Sequence, residues 1–259
     1  MSSCFRRLYA EALETPFIGW DFSYLASRTT EQNPPWDYGQ LAVDALRNAE
    51  TALDMGTGGG EWLAGLGRRP PFMWATEGYS PNIPLARRRL SVLDVCLTTV
   101  SNDQYLPLPA NSFDVILNRH QSYDVGEVSR ILRPNGMFVT QQVGSLDMRE
   151  LNALLGDDSR DQAVWDAVFA VSELEAEGFS IQWCEESFLP FYFHDISAVV
   201  YYLKAIPWQI PYFSLVDPTN VAKLEDLHRI LCADGRWRTH QHRFAIIAQK
   251  TSASAYGGV

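Results

Sequence analysis

The segment from Thr51 to Glu61 constrains the fold of this chain more than any other. A short apolar run that contains Asp54 breaks at once into a glycine-rich stretch, and a helical pattern starts near Glu61. Alternate positions of that stretch are Gly56, Gly58 and Gly60. Glycine tolerates the backbone angles of such a turn and leaves no side chain in the way of a ligand. The segment therefore predicts a buried strand, a tight turn and a helix, with a ligand across the end of the strand.

Two phosphate-binding patterns match this segment poorly. The dinucleotide fingerprint GxGxxG would need a glycine at position 61, where the chain has Glu61. A carboxylate at the start of a helix repels a pyrophosphate. The sequence also has no GxxxxGK loop followed by Ser or Thr. NAD and FAD are therefore weaker predictions for the ligand, and the simplest alternative is a flexible turn that binds nothing.

Strand and helix patterns alternate between about residues 52 and 142. This alternation predicts an α/β fold with a doubly wound, mostly parallel sheet covered by helices on both faces. In such sheets an acidic residue about 20 positions further on accepts hydrogen bonds from both hydroxyls of a ribose. Glu77 follows Asp54 by 23 positions and comes directly after the predicted strand at 72–76. The spacing predicts a ligand that contains a ribose, without distinguishing one cofactor from another.

Two further motifs follow in order. The segment from Ser101 to Leu117 contains the pair Leu106-Pro107, and a Leu-x-Pro-x-Gly turn ends at Gly136. With the glycine turn, these motifs cover about residues 50 to 143. Together they resemble the class I S-adenosylmethionine (SAM) dependent methyltransferases, in the type 11, small-molecule branch. The resemblance implies that SAM is the cofactor and that S-adenosyl-L-homocysteine is its product.

The resemblance also implies a Rossmann-like sheet of seven strands. Residues 1–49 show helical spacing and predict an N-terminal helical cap, and residues 50–250 are expected to form the SAM-binding domain. A helix is predicted at 160–177, before an irregular aromatic insert at 188–235 that precedes the last strand. Residues 251–259 are expected to be a flexible tail.

By resemblance, the cofactor-binding residues fall into three groups. Asp54 and the glycine turn are expected to hold the methionine end of SAM, together with Asn118 at the end of a later strand. Glu77 and its neighbour Gly78 are expected at the ribose. Either Asn102 or Asp103 meets the adenine, and the sequence leaves that choice open. The full set of predicted cofactor residues is Asp54, Gly56, Gly58, Gly60, Glu77, Gly78, Asn102, Asp103 and Asn118.

His120 is the candidate catalytic residue. It follows the predicted strand that ends at Leu117 and so lies at the carboxyl rim of the sheet, where open α/β sheets bind ligands. An imidazole there can take a proton from an O–H or N–H of the methyl acceptor near neutral pH. The alternative is a structural histidine that caps a turn or packs beneath the cofactor.

Aromatic residues outside the central motifs are candidates for the acceptor pocket. Asn33-Pro-Pro-Trp36 matches a tetrapeptide of amino-methyltransferases, but too few residues precede it for the permuted order which that motif requires. Trp36 or Tyr38 is instead expected to close over the cofactor. Rings give a rigid apolar wall for a flat acceptor; ordinary core packing is the alternative for each of them. The predicted pocket residues are Trp20, Trp36, Tyr38, His194, Trp208 and Tyr212.

Composition limits the partners of the protein. A net charge of −10 and a pI of about 4.9 argue against nucleic acid, since phosphate binding needs clustered Lys and Arg. No apolar run has the length of a signal peptide core or a membrane span, so cytoplasmic residence without membrane insertion is expected. The four cysteines are scattered and predict buried thiols, with neither a disulfide scaffold nor a metal site. The sequence does not predict the oligomeric state.

The leading hypothesis is thus a SAM-dependent methyltransferase that acts on a small molecule by in-line transfer. Two alternatives stay open: a protein that binds SAM or its product without turnover, and an NAD-linked oxidoreductase. The sequence does not predict whether the acceptor atom is oxygen, nitrogen, carbon or sulfur.

Overall fold

The computed structural model describes residues 2–157 and 164–252. Within these residues the chain divides into two compact units. The larger unit comprises residues 35–144, 165–186 and 243–259, and the smaller unit comprises residues 1–34, 145–164 and 187–242. The predicted tail lies outside the described residues from 253 onward, and so does the part of the predicted 160–177 helix at 160–163.

The strands form one mixed sheet in the order β1-β7-β8-β6-β5-β2-β3-β4. Their bounds are Thr29–Glu31 (β1), Thr51–Met55 (β2), Phe72–Glu77 (β3), Cys96–Thr99 (β4), Phe113–Arg119 (β5), Leu132–Val143 (β6), Phe179–Phe193 (β7) and Trp237–Lys250 (β8). The pairings from β4 through β3, β2 and β5 to β6 are parallel. The β6–β8 and β1–β7 pairings are antiparallel. A Rossmann-like sheet is therefore confirmed, and it is a mixed sheet with both parallel and antiparallel pairings.

Nine α-helices lie in the described residues. They are Ser3–Glu14 (α1), Tyr38–Ala45 (α2), Glu61–Gly65 (α3), Ile83–Leu90 (α4), Val125–Ile131 (α5), Arg149–Leu155 (α6), Ala167–Ala176 (α7), Ile196–Ala205 (α8) and Pro218–Asp234 (α9). Aspartate side chains cap several of them, and the Asp124 carboxylate at the start of α5 accepts from the Glu127 N–H at 2.9 Å. No helix in this part of the chain is long and apolar enough to cross a membrane.

The predicted number of strands is wrong, because the sheet has eight strands and not seven. The additional strand is β1, a segment of three residues in which Thr29 lies opposite Phe193 of β7. It was included in the predicted helical cap, since so short a strand cannot show an alternating pattern. β7 itself continues through residues 188–193, which were assigned to the irregular insert. Neighbouring rings conceal the alternation there, although Leu189, Phe191 and Phe193 are buried in a period of two.

The larger unit has two hydrophobic cores, one on each face of β5. Ile116 belongs to a core with the α5 and α7 residues Val128 and Ala170. Val115 and Leu117 point to the other face and pack with residues of α2, α3 and α4. The sheet is thus covered on both faces, as the alternation of strands and helices predicts.

The smaller unit has a core of its own. It is built around α8, in which nine of the ten residues are buried, and Phe5, Phe193 and Leu227 pack in the same cluster. Residues 1–49 do not form one cap, because α2 lies in the larger unit, where Tyr38, Ala42 and Leu46 join the core. The cysteines are exposed free thiols, so the prediction of buried thiols is wrong.

Candidate functional site

The glycine turn has the predicted strand, turn and helix geometry. Gly56, Gly58 and Gly60 have φ values of 66°, 64° and 80°. Residues with a Cβ adopt this left-handed region at a cost of roughly 1–2 kcal/mol, which explains the alternate glycines. The turn is fixed to β3, because the Gly56 N–H donates to Thr76 Oγ1 at 3.2 Å and the Thr57 N–H donates to the Thr76 carbonyl at 2.9 Å.

Asp54 lies at the end of β2 and is almost fully buried. Burial raises the pKa of its carboxyl to about 7, and the nearby Glu77 acts in the same direction. Thr57 and the Arg119 guanidinium act against that rise. Asp54 therefore changes charge in the neutral pH range, and a cation beside it would favour the ionised form.

Glu77 ends β3, the strand next to β2. It lies two residues beyond Ala75, the residue paired with Asp54. Its side chain is 5% exposed, and its Oε1 accepts from the Tyr79 N–H at 2.7 Å. The loop that follows the strand thus holds one carboxylate oxygen and fixes the orientation of the group.

A cavity of about 290 Å³ lies at the carboxyl ends of β2, β3 and β4. This is near the lower limit of the usual range for small-ligand pockets. Its lining residues come from the glycine turn, from the end of β3 and from the loops that follow β3, β4 and β5. The lining residues are Gly56, Thr76, Glu77, Gly78, Tyr79, Val100, Ser101, Asn102, Asp103 and Gln121. The structure therefore brings five of the predicted cofactor residues together: Gly56, Glu77, Gly78, Asn102 and Asp103.

Asn102 and Asp103 have different bonding in this cavity. Asn102 Oδ1 accepts from the N–H groups of Gln104 and Tyr105 at 3.1 and 3.0 Å, which holds its own loop. The Asp103 carboxylate accepts from Gln121 Nε2 at 3.3 Å and from the Ser122 hydroxyl. The two side chains thus belong to different networks at the same wall.

Gln121 is a site residue that the sequence motifs do not identify. Its side chain lies directly over the glycine turn: a Cβ added at Gly56 would be 2.6 Å from Gln121 Cγ. It reaches from there to Asp103, so it covers one end of the cavity. The sequence indicates this role only through the position of Gln121 directly after His120. The contact with Gly56 depends on the direction of the Gln121 side chain, which the sequence does not show.

One buried polar atom near the glycine turn, Asn118 Nδ2, has no hydrogen-bond partner among the described residues. Asn118 is fully buried and pairs with Met55, while its Oδ1 accepts from Gln142 Nε2 at 2.7 Å. Unpaired buried polar atoms are rare in native proteins because they cost desolvation energy. An N–H donor is thus present for a polar ligand beside the end of β2.

His120 lies at the rim immediately after β5, with a left-handed φ of 61°. Its Nε2 is 2.9 Å from Gln141 Nε2, and Gln141 Oε1 accepts from Trp36 Nε1 at 2.7 Å. Burial lowers the pKa of the His120 imidazole well below its usual value, and the positive charges of Arg243 and Arg119 add to the effect. The ring is therefore neutral at physiological pH.

The surroundings of Tyr38 differ from those expected of a side chain that closes over the cofactor. It is 6% exposed, and its hydroxyl is within 3.0 Å of the Asn118 backbone carbonyl and 3.1 Å of the Val139 carbonyl. It therefore links β5 and β6 below the rim. Trp36, which is held by Gln141, also packs edge-on against Trp183 at 6.1 Å between ring centroids.

The remaining predicted pocket residues belong to the smaller unit. Trp20 and Trp208 stack with 6.0 Å between ring centroids and 7° between ring planes, and both are about half exposed. His194 Nε2 is 2.8 Å from the Thr30 hydroxyl. Tyr212 is fully exposed. The structure thus brings Trp20 and Trp208 together within this unit, while His194 and Tyr212 have separate surroundings.

Comparisons with known proteins agree with this geometry. Residues 53–140 match a family model described as a methyltransferase domain. A candidate methyltransferase from Bacillus halodurans is 16% identical, with a TM-score of 0.60 over 83% of this chain and 99% of that chain. A candidate sarcosine dimethylglycine methyltransferase from Galdieria sulphuraria is 14% identical, with a TM-score of 0.52 over 82% and 83% of the two chains.

A third similar structure is named as a cyclase and not as a methyltransferase. The (4+2)-cyclase SpnF is 14% identical, with a TM-score of 0.55 over 96% of this chain and 93% of that chain. No curated protein matches the chain. At such identities the solved structures establish the shared fold and not the reaction. Residues 53–140 are thus similar to a methyltransferase domain, and the chain has the fold of the class I SAM-dependent methyltransferases.

Proposed function

We propose that this protein transfers the methyl group of SAM to a small-molecule acceptor by in-line displacement. The observation that carries the proposal is the cavity at the ends of β2, β3 and β4, which Gly56 and the buried Glu77 line. Open α/β sheets bind ligands outside the carboxyl ends of their strands. Methyl transfer depends chiefly on holding the acceptor in line and excluding water, which a rim of this kind can provide.

The chemical groups of SAM have candidate partners among the residues that line the cavity and among the buried residues at the ends of β2 and β5. Glu77 would accept hydrogen bonds from the ribose hydroxyls, and Asp54 would face the ammonium of the methionine end. Asn118 Nδ2, which lacks a partner among the described residues, is available to the methionine carboxylate. Asn102 or Asp103 would meet the adenine amine beside Tyr79 and Val100. When bound, SAM supplies an electrophilic methyl group on its sulfonium.

Gln121 sets a condition on this arrangement. Its side chain covers Gly56, where the methionine end would lie. Binding therefore requires the side chain to rotate away from the glycine turn, which breaks its 3.3 Å contact with Asp103. The cost is at most about 1.5–3 kcal/mol, the net contribution of a hydrogen bond to a charged group.

A small acceptor is favoured by two observations. The net charge of −10 disfavours nucleic acid as a substrate. The Galdieria protein of the same fold is named for two small molecules, sarcosine and dimethylglycine. We assign the exposed pair Trp20 and Trp208 to the acceptor, since stacked indoles give a flat apolar surface. The predictions that Trp36, His194 and Tyr212 contact the acceptor stay predictions, whereas Tyr38 is buried against the backbone of β5 and β6. Cytoplasmic residence also stays a prediction.

A second candidate function is SAM binding without methyl transfer. It is favoured by the cyclase of the same fold, whose name describes a reaction other than methylation. The fold and the cofactor-binding residues are compatible with both methyl transfer and SAM binding alone, because a shared fold does not determine the reaction. An assay of the reaction itself is needed to separate them.

Calorimetry tests the cofactor assignment. We expect wild-type protein to bind SAM and S-adenosyl-L-homocysteine, and Glu77→Ala to bind SAM about 1–3 kcal/mol more weakly, the usual loss for a charge-assisted hydrogen bond. Glu175→Ala is the matched control, because Glu175 is an exposed residue of α7. Wild-type affinity in Glu77→Ala would refute the ribose assignment.

A radiolabelled methyl assay tests the reaction. The protein is incubated with methyl-labelled SAM and fractionated small-molecule extracts, and labelled products are sought. A labelled product that depends on the protein supports methyl transfer. Tight SAM binding with no labelled product in any fraction supports the non-catalytic alternative, and absence of SAM binding removes both.

A further inference from the structure

The orientation of the Gln141 side chain is fixed by Trp36. An indole N–H can only donate a hydrogen bond. The Gln141 atom 2.7 Å from Trp36 Nε1 is therefore the amide oxygen. The edge contact between Trp36 and Trp183 holds the indole in place. The amide nitrogen must then face the other way, toward His120.

That orientation determines which nitrogen of His120 carries the proton. The amide nitrogen of Gln141 is a donor only, and it lies 2.9 Å from His120 Nε2. His120 Nε2 must accept this hydrogen bond, so it carries no proton. A neutral imidazole has one N–H, which is then on Nδ1. A protonated ring would place two donors against each other.

The surroundings of the ring also oppose its protonation. Arg119 precedes it in the chain and pairs with Gln141 in the β5–β6 register. Arg243 pairs with Val143, two residues from Gln141, so its side chain points to the same face of the sheet as those of Arg119 and Gln141. Both guanidiniums disfavour a positive imidazolium.

We propose that Trp36 and Gln141 are positioning residues that hold His120 as the neutral Nδ1–H tautomer, so that His120 donates a hydrogen bond to the methyl acceptor instead of removing its proton. The tautomer follows from the contacts alone, and the role toward the acceptor rests on the proposed function. The ligand class is an acceptor molecule with a carbonyl, carboxylate or other oxygen or nitrogen lone pair beside its reacting atom. Where the reacting atom carries a proton, the methylated product loses that proton to solvent water.

Nitrogen NMR tests the tautomer without cofactor or substrate. In ¹⁵N-labelled wild-type protein at pH 7, we expect long-range proton–nitrogen spectra to show His120 with Nδ1 protonated and Nε2 unprotonated. His120→Asn identifies the signals by their loss. In Gln141→Glu the carboxylate accepts from the ring, so the proton should move to Nε2. A protonated Nε2 in wild type, or an unchanged tautomer in Gln141→Glu, overturns the proposal.

Two variants at one position test the role toward the acceptor. Asn can place an amide N–H near the position of Nδ1, cannot act as a base, and tolerates the left-handed φ of 61°. In the methyl-label assay we expect His120→Ala to lose about tenfold in turnover, the loss of one hydrogen bond, and His120→Asn to lose less than His120→Ala. Equal, large losses in both variants overturn the donor role. Absence of any product in wild type contradicts the proposed function and leaves the NMR result standing.

Discussion

At the scale of single residues, the site depends on a carboxyl group whose charge is not fixed. Asp54 is 3% exposed and has a pKa of about 7, against roughly 3.9 for an aspartate in water. The protein without a ligand therefore holds Asp54 mainly as the neutral acid below pH 7. A bound ammonium favours the carboxylate and lowers this pKa, so a cationic ligand must displace a proton.

The first prediction concerns this proton. At pH 6.5 we expect SAM binding to release up to about one proton, and the affinity to rise as the pH increases through about 7. Calorimetry in buffers of different ionisation enthalpy measures the number released. Asp54→Asn should bind SAM without this release. Proton uptake by wild type would contradict the assignment of Asp54 to the ammonium.

The glycine turn provides a second prediction at this scale. Gly56→Ala and Gly58→Ala both place a Cβ at a left-handed φ, which costs about 1–2 kcal/mol of unfolding free energy. Gly58 has open space around it, whereas a Cβ at Gly56 meets the Gln121 side chain. We expect denaturant titration to show a larger loss for Gly56→Ala. Equal losses would mean that Gln121 moves away freely.

At the scale of elements, the rim of the sheet is held by the first residue of α2. The Tyr38 hydroxyl, at the start of α2, contacts the backbone of Asn118 in β5 and of Val139 in β6. Leu46 and Ala42 anchor the helix in the core beneath. The backbone that presents Asn118 and His120 is thus fixed by an interaction across strands.

The prediction for this element is a loss of stability. Tyr38→Phe removes the hydroxyl and leaves buried backbone groups with fewer partners, so we expect the unfolding free energy to fall by about 1–3 kcal/mol. Tyr105→Phe is the control, because Tyr105 is 71% exposed. Denaturant titration of both variants makes the comparison. A fall of the same size in Tyr105→Phe would show that the hydroxyl bridge is not the cause.

The elements differ in how well the sequence predicts them. β2, β3 and the glycine turn follow from local rules, because apolar runs, glycines and strand-end acids are visible in the order of residues. β8 is the last strand expected after the aromatic insert, and it pairs antiparallel with β6. β1 and the second half of β7 do not follow, because three residues carry no period and a run of rings conceals one.

At the scale of the whole molecule, the proposed cofactor residues all lie in one compact unit. Asp54, Glu77, Asn102 and Asn118 belong to residues 35–144 of the larger unit. The exposed indole pair belongs to the smaller unit. The cofactor site can therefore be tested on the complete protein as a property of the larger unit.

The prediction at this scale is selective stabilisation by SAM. A ligand that binds the folded state at a hundred times its Kd adds about 2.7 kcal/mol to the unfolding free energy. We expect SAM to raise the melting temperature and NAD to leave it unchanged. Hydrogen exchange should slow mainly within residues 35–144. A comparable shift with NAD would favour the oxidoreductase alternative.

The sequence alone determined the strand that ends at Asp54, the glycine turn and the acidic residue of the next strand, because each depends on backbone geometry over a few residues or on a fixed spacing. Only the tertiary structure decided that Gln121 covers Gly56 and that Trp36 orients Gln141, 105 positions away, and through it His120. Such contacts depend on the directions of side chains from distant strands. Neither propensity nor spacing encodes those directions, and it is these contacts that set the protonation of the rim.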